Sequence, residues 1–337
     1  MKSTTPFFHL KIDNFLSSSD LQRIQDFYNK QKFYLKHTDL FKFLQTDEFA
    51  QESDIDFFKC KLYEVFKDFT DITHTFFTMF ASYYRKGDYL SCHDDLVEER
   101  MYAFTFYLDD LDSGDLILFN NECNKEYKRI SIKKNRLIIF QVSALSFHEV
   151  DICKHDGRKA ITGWLNKNGY VQLLKNIEYN YSLPVVELIP FDLDDFNDNV
   201  LVYEGVEYDF RELSSQIEGP FLMRRVTSLN LNTYLALDIP GHTLCYINCY
   251  SINYDSYILL NDYTNQLEGD LVDVFIIESK DNNDSNIKLV NEEGSLVSTL
   301  KLQEKVMYVV NRKKMKYFIE RGFPIEYKLV HMIYKFN

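Results

Sequence analysis

Residues 76–108, FFTMFASYYRKGDYLSCHDDLVEERMYAFTFYL, decide how the first half of this chain folds. Aromatic and β-branched side chains crowd the stretch, and Lys86-Gly87-Asp88 marks a turn inside it. The pattern then continues. The runs FFTMFASYY, YLSCHDD, YAFTFYL, DLILF, RLIIFQVS, FHEVDI and KAITGWL succeed one another between Phe76 and Leu165. Short runs of this composition, each bounded by turn residues, describe a double-sheet β-barrel or jelly roll.

Working outward, the region before Phe76 reads as helical. Ser17-Ser18-Ser19-Asp20 is a helix-start signal, and Leu21, Ile24 and Phe27 follow at helical spacing, so a helix is expected to Tyr34. A second is expected over Asp54 to Phe69, with Phe57, Leu62, Val65 and Phe66 on one side. Beyond Trp164 a polar stretch, Asn166 to Tyr181, and an acidic one, Asp192 to Asn199, interrupt the pattern. The runs VLVYEG, TLCYINCYSI, SYILLND, VDVFIIES and KVMYVVN then return to strand character, with a surface hairpin loop expected at Asp281–Ser285. The expected organisation is a first domain over 1–172, a linker over 173–195 and a second β domain over 196–337. Two β-rich halves in succession allow a duplicated architecture.

The 337 residues are 45% hydrophobic and 16% aromatic, which supplies packed cores and excludes a disordered chain. Acidic residues outnumber basic ones, 51 to 38, for a net charge of −13. That balance argues against nucleic-acid binding through a broad basic surface and favours a basic protein or peptide partner. The start MKSTTPFFHLKIDNFL carries no signal-peptide run, and no stretch reaches the ~18 apolar residues of a membrane span. The expectation is cytoplasm, nucleus or both, and the six scattered cysteines are expected to be free thiols.

The chemistry concentrates in YLSCHDD. If this run is a strand, His93 and Asp95 are two apart and project from one face, while Asp94 points to the other. One imidazole and one carboxylate so placed can share a divalent iron, and a histidine from a distant strand would complete a facial triad. His148, in SFHEV, is the natural third ligand. Arg158 opens the RKAITGWL run, from which a guanidinium could pair bidentately with the far carboxylate of a dicarboxylic acid. Tyr84 and Tyr107, on the runs before and after the His93 strand, could donate phenols to the same group. His9, His37, His74 and His155 have no spacing that recruits them.

YRKGDYLSCHDD, RMYAFTFYL, SGDLILF, RLIIFQVSALSFHEV and RKAITGW together resemble the ribosomal prolyl hydroxylases over roughly Asn14 to Leu165. The resemblance implies two double-stranded β-helix domains of jelly-roll, cupin-like type in tandem, mainly β with flanking helices, the second lacking a metal site. It implies Fe(II) on His93, Asp95 and His148, and 2-oxoglutarate on Arg158, Tyr84 and Tyr107. O2 would be the oxidant and L-ascorbate an accessory reductant. The implied substrate is a proline of a small-subunit ribosomal protein near the decoding centre, with translation termination factors as further partners. Arg100 and Phe104 match family positions without an evident role, and SYILLND occupies the place of a degenerate ligand motif, with His242 and His331 not arranged as ligands. Three departures stand out. Ser113 replaces one of two glycines, Ala160 replaces a serine two residues after the arginine, and the Tyr107–Gly114 connection is short. An adaptor that binds ribosomes or translation factors without catalysis, and an oxygenase acting on another protein side chain, are the alternatives the sequence leaves open.

Overall fold

The computed structural model describes residues 2–97, 99–121 and 125–167, the backbone of strands between 186 and 237, and residues 239–337 apart from 240, 253–255, 280–284, 304–305 and 323–326. The chain folds as two compact units, Met1–Ile177 with Ser214–Phe221 and Glu178–Leu213 with Leu222–Asn337. The expected linker at 173–195, apart from a strand at Val186–Pro190, and most of the expected loop at Asp281–Ser285 lie outside the described residues.

In the first unit the strands are β1 (Lys2–Ser3), β2 (His9–Asp13), β3 (Tyr34–His37), β4 (Phe41–Gln45), β5 (Thr75–Tyr84), β6 (Tyr89–His93), β7 (Arg100–Tyr107), β8 (Leu116–Phe119), β9 (Glu126–Ile130), β10 (Arg136–Gln141), β11 (His148–Val150) and β12 (Arg158–Lys167). They hydrogen-bond in the order β1-β2-β10-β7-β12-β5-β4-β6-β11-β8-β9, with β3 on β4. The long strand β12 lies antiparallel between β5 and β7, with Arg158 opposite Tyr84 and Ala160 opposite both Ser82 and Tyr107. Alternation along these strands separates two cores. Phe77, Met79, Phe104, Phe106, Ile161 and Leu165 form one with the helices, whereas Phe80, Tyr84, Tyr107, Ala160 and Trp164 form the other with β8 and β10.

Helix α1 (Ser18–Asn29) starts where the sequence places it, because Ser17 caps it by accepting the Asp20 N–H at 3.1 Å. It ends at Asn29 rather than Tyr34, since Tyr34 and Leu35 pair with Gln45 and Leu44 as a strand. Helix α2 (Asp56–Phe66) buries Phe58, Leu62 and Phe66 at a spacing of four. Phe57 and Val65, expected on the buried side, pack against this core while partly exposed, and the Arg23 guanidinium covers the Phe57 ring at 4.2 Å. Strands β2, β3, β4 and β9 have no counterpart among the sequence-derived runs. All four are short or alternate with Lys, His and Arg, so their apolar signal is weak.

The second unit is also β-rich. Val186–Pro190, Val306–Asn311, Leu271–Ser279, Tyr327–Phe336 and His242–Ile252 are successive neighbours in its main sheet. Phe275, Ile277, Leu289, Tyr308 and Leu329 belong to its core. SYILLND does not form one strand; a two-residue strand at Tyr257–Ile258 gives way to a 3-10 turn at Tyr263–Gln266, capped by the Asp262 carboxylate. Within this unit Asp273 accepts from Arg312 Nε at 2.7 Å and contacts His331 Nε2 at 2.8 Å, all three buried.

Asn135 ties the first helix to the barrel. Its backbone is left-handed (φ 61°), and its side-chain amide exchanges two hydrogen bonds of 2.8 Å with the main chain of Leu16. Asn135→Ala removes both bonds, strands the Leu16 N–H and C=O in a buried setting and adds left-handed strain. Denaturant unfolding of the first unit is expected to show a loss of about 2–4 kcal/mol, with Asn135→Gly recovering only the strain.

Candidate active site

Strand β6 ends at His93, so His93 and Asp95 do not share a strand face as the alternation argument supposes. Asp95 reaches the same place by a different route. Its backbone is left-handed (φ 62°), which turns the chain back after the strand and brings the carboxylate beside the imidazole. His148 opens β11 directly opposite His93 in the ladder. His93 Nε2 lies 3.4 Å from Asp95 Oδ1 and His148 Nε2 lies 3.4 Å from Asp95 Oδ2, with the two rings 4.2 Å apart. Among the described residues these three make up the one group of His, Cys, Asp or Glu able to close on a metal ion. Asp94 is also buried, but its Oδ1 accepts the Leu96 N–H at 3.0 Å and it stays out of the cluster.

Hydrogen bonding fixes what the imidazoles offer. Each Nδ1 donates to the carbonyl two residues earlier, His93 to Ser91 and His148 to Ser146, both at 2.8 Å. Both Nε2 lone pairs are thereby left facing the Asp95 carboxylate. Burial works against a charged His93, but Asp95 outweighs it and lifts its pKa, whereas burial and the neighbouring His93 lower that of His148. Burial likewise opposes ionisation of Asp95, yet the two imidazoles hold it well below the usual carboxylate range. Two nitrogen lone pairs and a carboxylate converging in a buried pocket form an electron-rich donor set that suits a divalent cation such as Fe(II).

Two residues outside the triad hold it in shape. Arg100 Nη1 donates to the Asp95 carbonyl at 3.2 Å and faces its Oδ1 at 3.4 Å, and its guanidinium lies 3.7 Å over the Trp164 ring. Ser146 accepts His148 through its carbonyl and sets its hydroxyl 2.9 Å from the Asp94 carbonyl, tying the two ligand turns together. An arginine five residues after the carboxylate and a serine two before the histidine were the available sequence signals, and neither is distinctive alone.

Arg158 is 2% exposed and has no carboxylate in ion-pair range among the described residues. Its Nε donates to the Gly114 carbonyl at 2.9 Å, and its guanidinium faces the rings of Tyr84 (4.5 Å) and Tyr107 (5.3 Å). Burial raises the pKa of both phenols, with Arg158 opposing, so they remain protonated donors. The Tyr107 hydroxyl is buried, with the Arg158 guanidinium as its polar neighbour. A buried, unpaired cation ringed by donors fits the far carboxylate of a dicarboxylic acid. Ser113 is accommodated, because its hydroxyl accepts the Lys154 N–H at 3.1 Å, while Gly114 supplies the positive φ (78°) that the turn requires.

Residues 79–166, which contain His93, Asp95, His148, Arg158, Tyr84 and Tyr107, match the 2OG-Fe(II) oxygenase superfamily. The chain is similar to prolyl 3-hydroxylases over part of their length. It is 28% identical over 255 residues to Prolyl 3-hydroxylase OGFOD1 of Xenopus laevis, covering 70% of this chain and 48% of that protein. Its identity to Prolyl 3-hydroxylase OGFOD1 of Mus musculus is 32% over 180 residues, 47% of this chain and 32% of the relative. The chain thus spans about half, or less, of these curated relatives' length. Among solved structures it is similar to a Trichoplax adhaerens prolyl hydroxylase in complex with a hypoxia inducible factor peptide fragment, with 21% identity and TM-score 0.41 over 47% of this chain and 83% of that one.

A methyl group at position 114 would sit 2.4 Å from Cys153 Sγ and 3.0 Å from Arg158 Cδ. Gly114→Ala is therefore expected to displace Arg158 and weaken 2-oxoglutarate binding by roughly ten-fold or more, with Mn(II) affinity little changed. Calorimetric titration with Mn(II) and then 2-oxoglutarate reads both. For Arg100→Gln the pattern should invert, since loss of the Asp95 support lowers metal affinity by roughly 10–100-fold.

Proposed function

We propose that this protein is a 2-oxoglutarate- and Fe(II)-dependent dioxygenase that hydroxylates a proline of a small-subunit ribosomal protein at the decoding centre, and so affects the accuracy of translation termination. The observation that carries the reading is the pairing of two buried sites on one barrel: the His93–Asp95–His148 donor cluster and the unpaired Arg158 cation. When bound, Fe(II) supplies the activation of O2 coupled to oxidative decarboxylation of 2-oxoglutarate.

The chain's own residues have separable tasks. His93, Asp95 and His148 hold the metal, and their Nδ1 bonds and the Arg100 contact keep the donor atoms aimed at one point. Arg158 takes the far carboxylate, and the Tyr84 and Tyr107 phenols border it. Phe140, 4.5 Å from the His148 ring, and Trp164, under Arg100, line the interior with aromatic surface that keeps water from the reacting centre.

The choice of proline is supported by the family resemblance of the motifs and by the similarity to prolyl 3-hydroxylases. A net charge of −13 suits a basic ribosomal segment as partner. In this reading catalysis belongs to 1–172 and the 196–337 domain is non-catalytic. L-ascorbate serves as an accessory reductant, and the protein works in the cytoplasm, the nucleus or both.

The test follows succinate formation by anaerobically Fe(II)-loaded protein given 2-oxoglutarate and O2, with and without a peptide spanning the decoding-centre proline. Peptide-stimulated succinate and a peptide product heavier by one oxygen are expected, both lost in His148→Ala. Turnover without peptide oxidation would discard the substrate and retain the oxygenase. Absence of turnover in metal-loaded protein would favour the adaptor.

A further inference from the structure

One buried hydroxyl in the barrel interior has no role in the site as described so far. Ser82, on β5, is 1% exposed, and its Oγ has no hydrogen-bond partner. It lies in the row Ser82–Ala160–Tyr107, in which Ala160 of β12 is directly opposite Ser82 on one side and Tyr107 on the other. Directly opposed residues of neighbouring strands share a face, with Cβ atoms about 5 Å apart. Ser82 and Tyr107 therefore flank the Ala160 methyl group. One step along the same face, Arg158 stands opposite Tyr84.

Four features coincide there. Ser82 presents a buried hydroxyl without a partner, and the buried Tyr107 hydroxyl has the Arg158 guanidinium as its polar neighbour. Arg158 donates through Nε to the Gly114 carbonyl, and no carboxylate neutralises it among the described residues. Ala160, fully buried between them, brings no polar side-chain atom of its own. The backbone beneath Ser82 is fixed, because the strand pairs through Gln45 and Ala160 on its two sides and the Ser82 carbonyl accepts the Tyr28 phenol at 2.9 Å. Native proteins leave few buried hydroxyls unpaired, and those they do leave commonly meet a ligand or water. An unpartnered hydroxyl and a phenol beside a guanidinium that no carboxylate neutralises describe a cradle for an anion with several acceptor oxygens.

We infer that Ser82 is a co-substrate-binding residue: its hydroxyl donates to the far carboxylate of 2-oxoglutarate, together with Arg158 and Tyr107. The hydroxyl that position 160 lacks is supplied across the strand pair, from β5. The inference rests on the dioxygenase reading above and deepens it at one subsite. It also accounts for Ala160, which stands where the family pattern has a serine. A serine at 160 would compete with Ser82 for the same oxygen.

The test is a binding measurement. Anaerobic Fe(II)-loaded protein is titrated with 2-oxoglutarate, reading the visible charge-transfer absorption of the complex, and in parallel with pyruvate, a 2-oxo acid without the far carboxylate. Ser82→Ala is expected to raise the Kd for 2-oxoglutarate roughly ten- to hundred-fold, as loss of a hydrogen bond to a charged group does. Pyruvate binding should be unchanged, and Ser82→Ala with Ala160→Ser should recover most of the 2-oxoglutarate affinity. Equal Kd values for 2-oxoglutarate in wild type and Ser82→Ala, or equal weakening of both acids, would overturn the assignment. Failure of the wild-type, iron-loaded protein to bind 2-oxoglutarate would instead overturn the dioxygenase reading, and is seen without any variant.

Discussion

The strand Arg158–Lys167 is the constraint on which the first unit depends. It is paired along its length with β5 and, over most of it, with β7, so its alternation sets both faces of the sheet at once. Arg158, Ala160, Thr162 and Trp164 point into the barrel, and Ile161 and Leu165 point to the helices. A one-residue slip would exchange the two sets and remove the buried cation from the interior. Gly163 shows how tight the fit is. A Cβ there would lie 2.3 Å from the Thr78 carbonyl and 2.8 Å from the Phe104 ring, so the strands can approach only because that side chain is absent.

The same frame explains why the donor cluster can exist without a rigid strand beneath every member. His148 and His93 face each other across the ladder, and their Nδ1 bonds lock the rings. Asp95 sits on a turn, where its position depends on contacts rather than pairing. Arg100 holds its main chain, and Ser146 holds that of Asp94. Two fixed ligands and one supported by its surroundings form a site whose weakest member is the carboxylate.

Much of this was legible in the sequence, though not always for the right reason. The His93, Asp95 and His148 grouping follows from motif and order, and Arg158, Tyr84 and Tyr107, on three separate runs, come together through the family resemblance. The alternation argument for Asp95 fails, however, because the strand stops two residues early and a left-handed backbone does the work. Non-glycine residues rarely adopt that conformation, so local pattern does not announce it. Arg100, Ser146 and Ser82 stayed without roles because each acts through a neighbour distant in sequence or across a ladder. β9 was missed for a similar reason, since Glu126, Lys128 and Arg129 mask its alternation. The polar network of the second unit was also out of reach, because Asp273, Arg312 and His331 come from separate strands and turns.

That network clarifies what makes the first cluster fit for a metal. Both contain a buried aspartate against a histidine Nε2, and the difference lies in what neutralises the carboxylate. In the second unit Arg312 grips Asp273 through Nε at 2.7 Å and Nη2 at 2.5 Å, one bond to each oxygen, and the His331 Nε2 contact falls on an oxygen already taken. The carboxylate's charge is met by a permanent cation, so a divalent ion would have to displace a bidentate, fully buried pair. In the first unit Arg100 bonds mainly to the main chain of Asp95 and stands 3.4 Å from one oxygen, while each oxygen faces the Nε2 of an imidazole whose Nδ1 is tied to a carbonyl. Only that arrangement leaves two lone pairs and an anionic oxygen for one ion to collect. Two differences, a second imidazole on the aspartate and a guanidinium kept off its oxygens, separate an open ligand set from a closed ion pair.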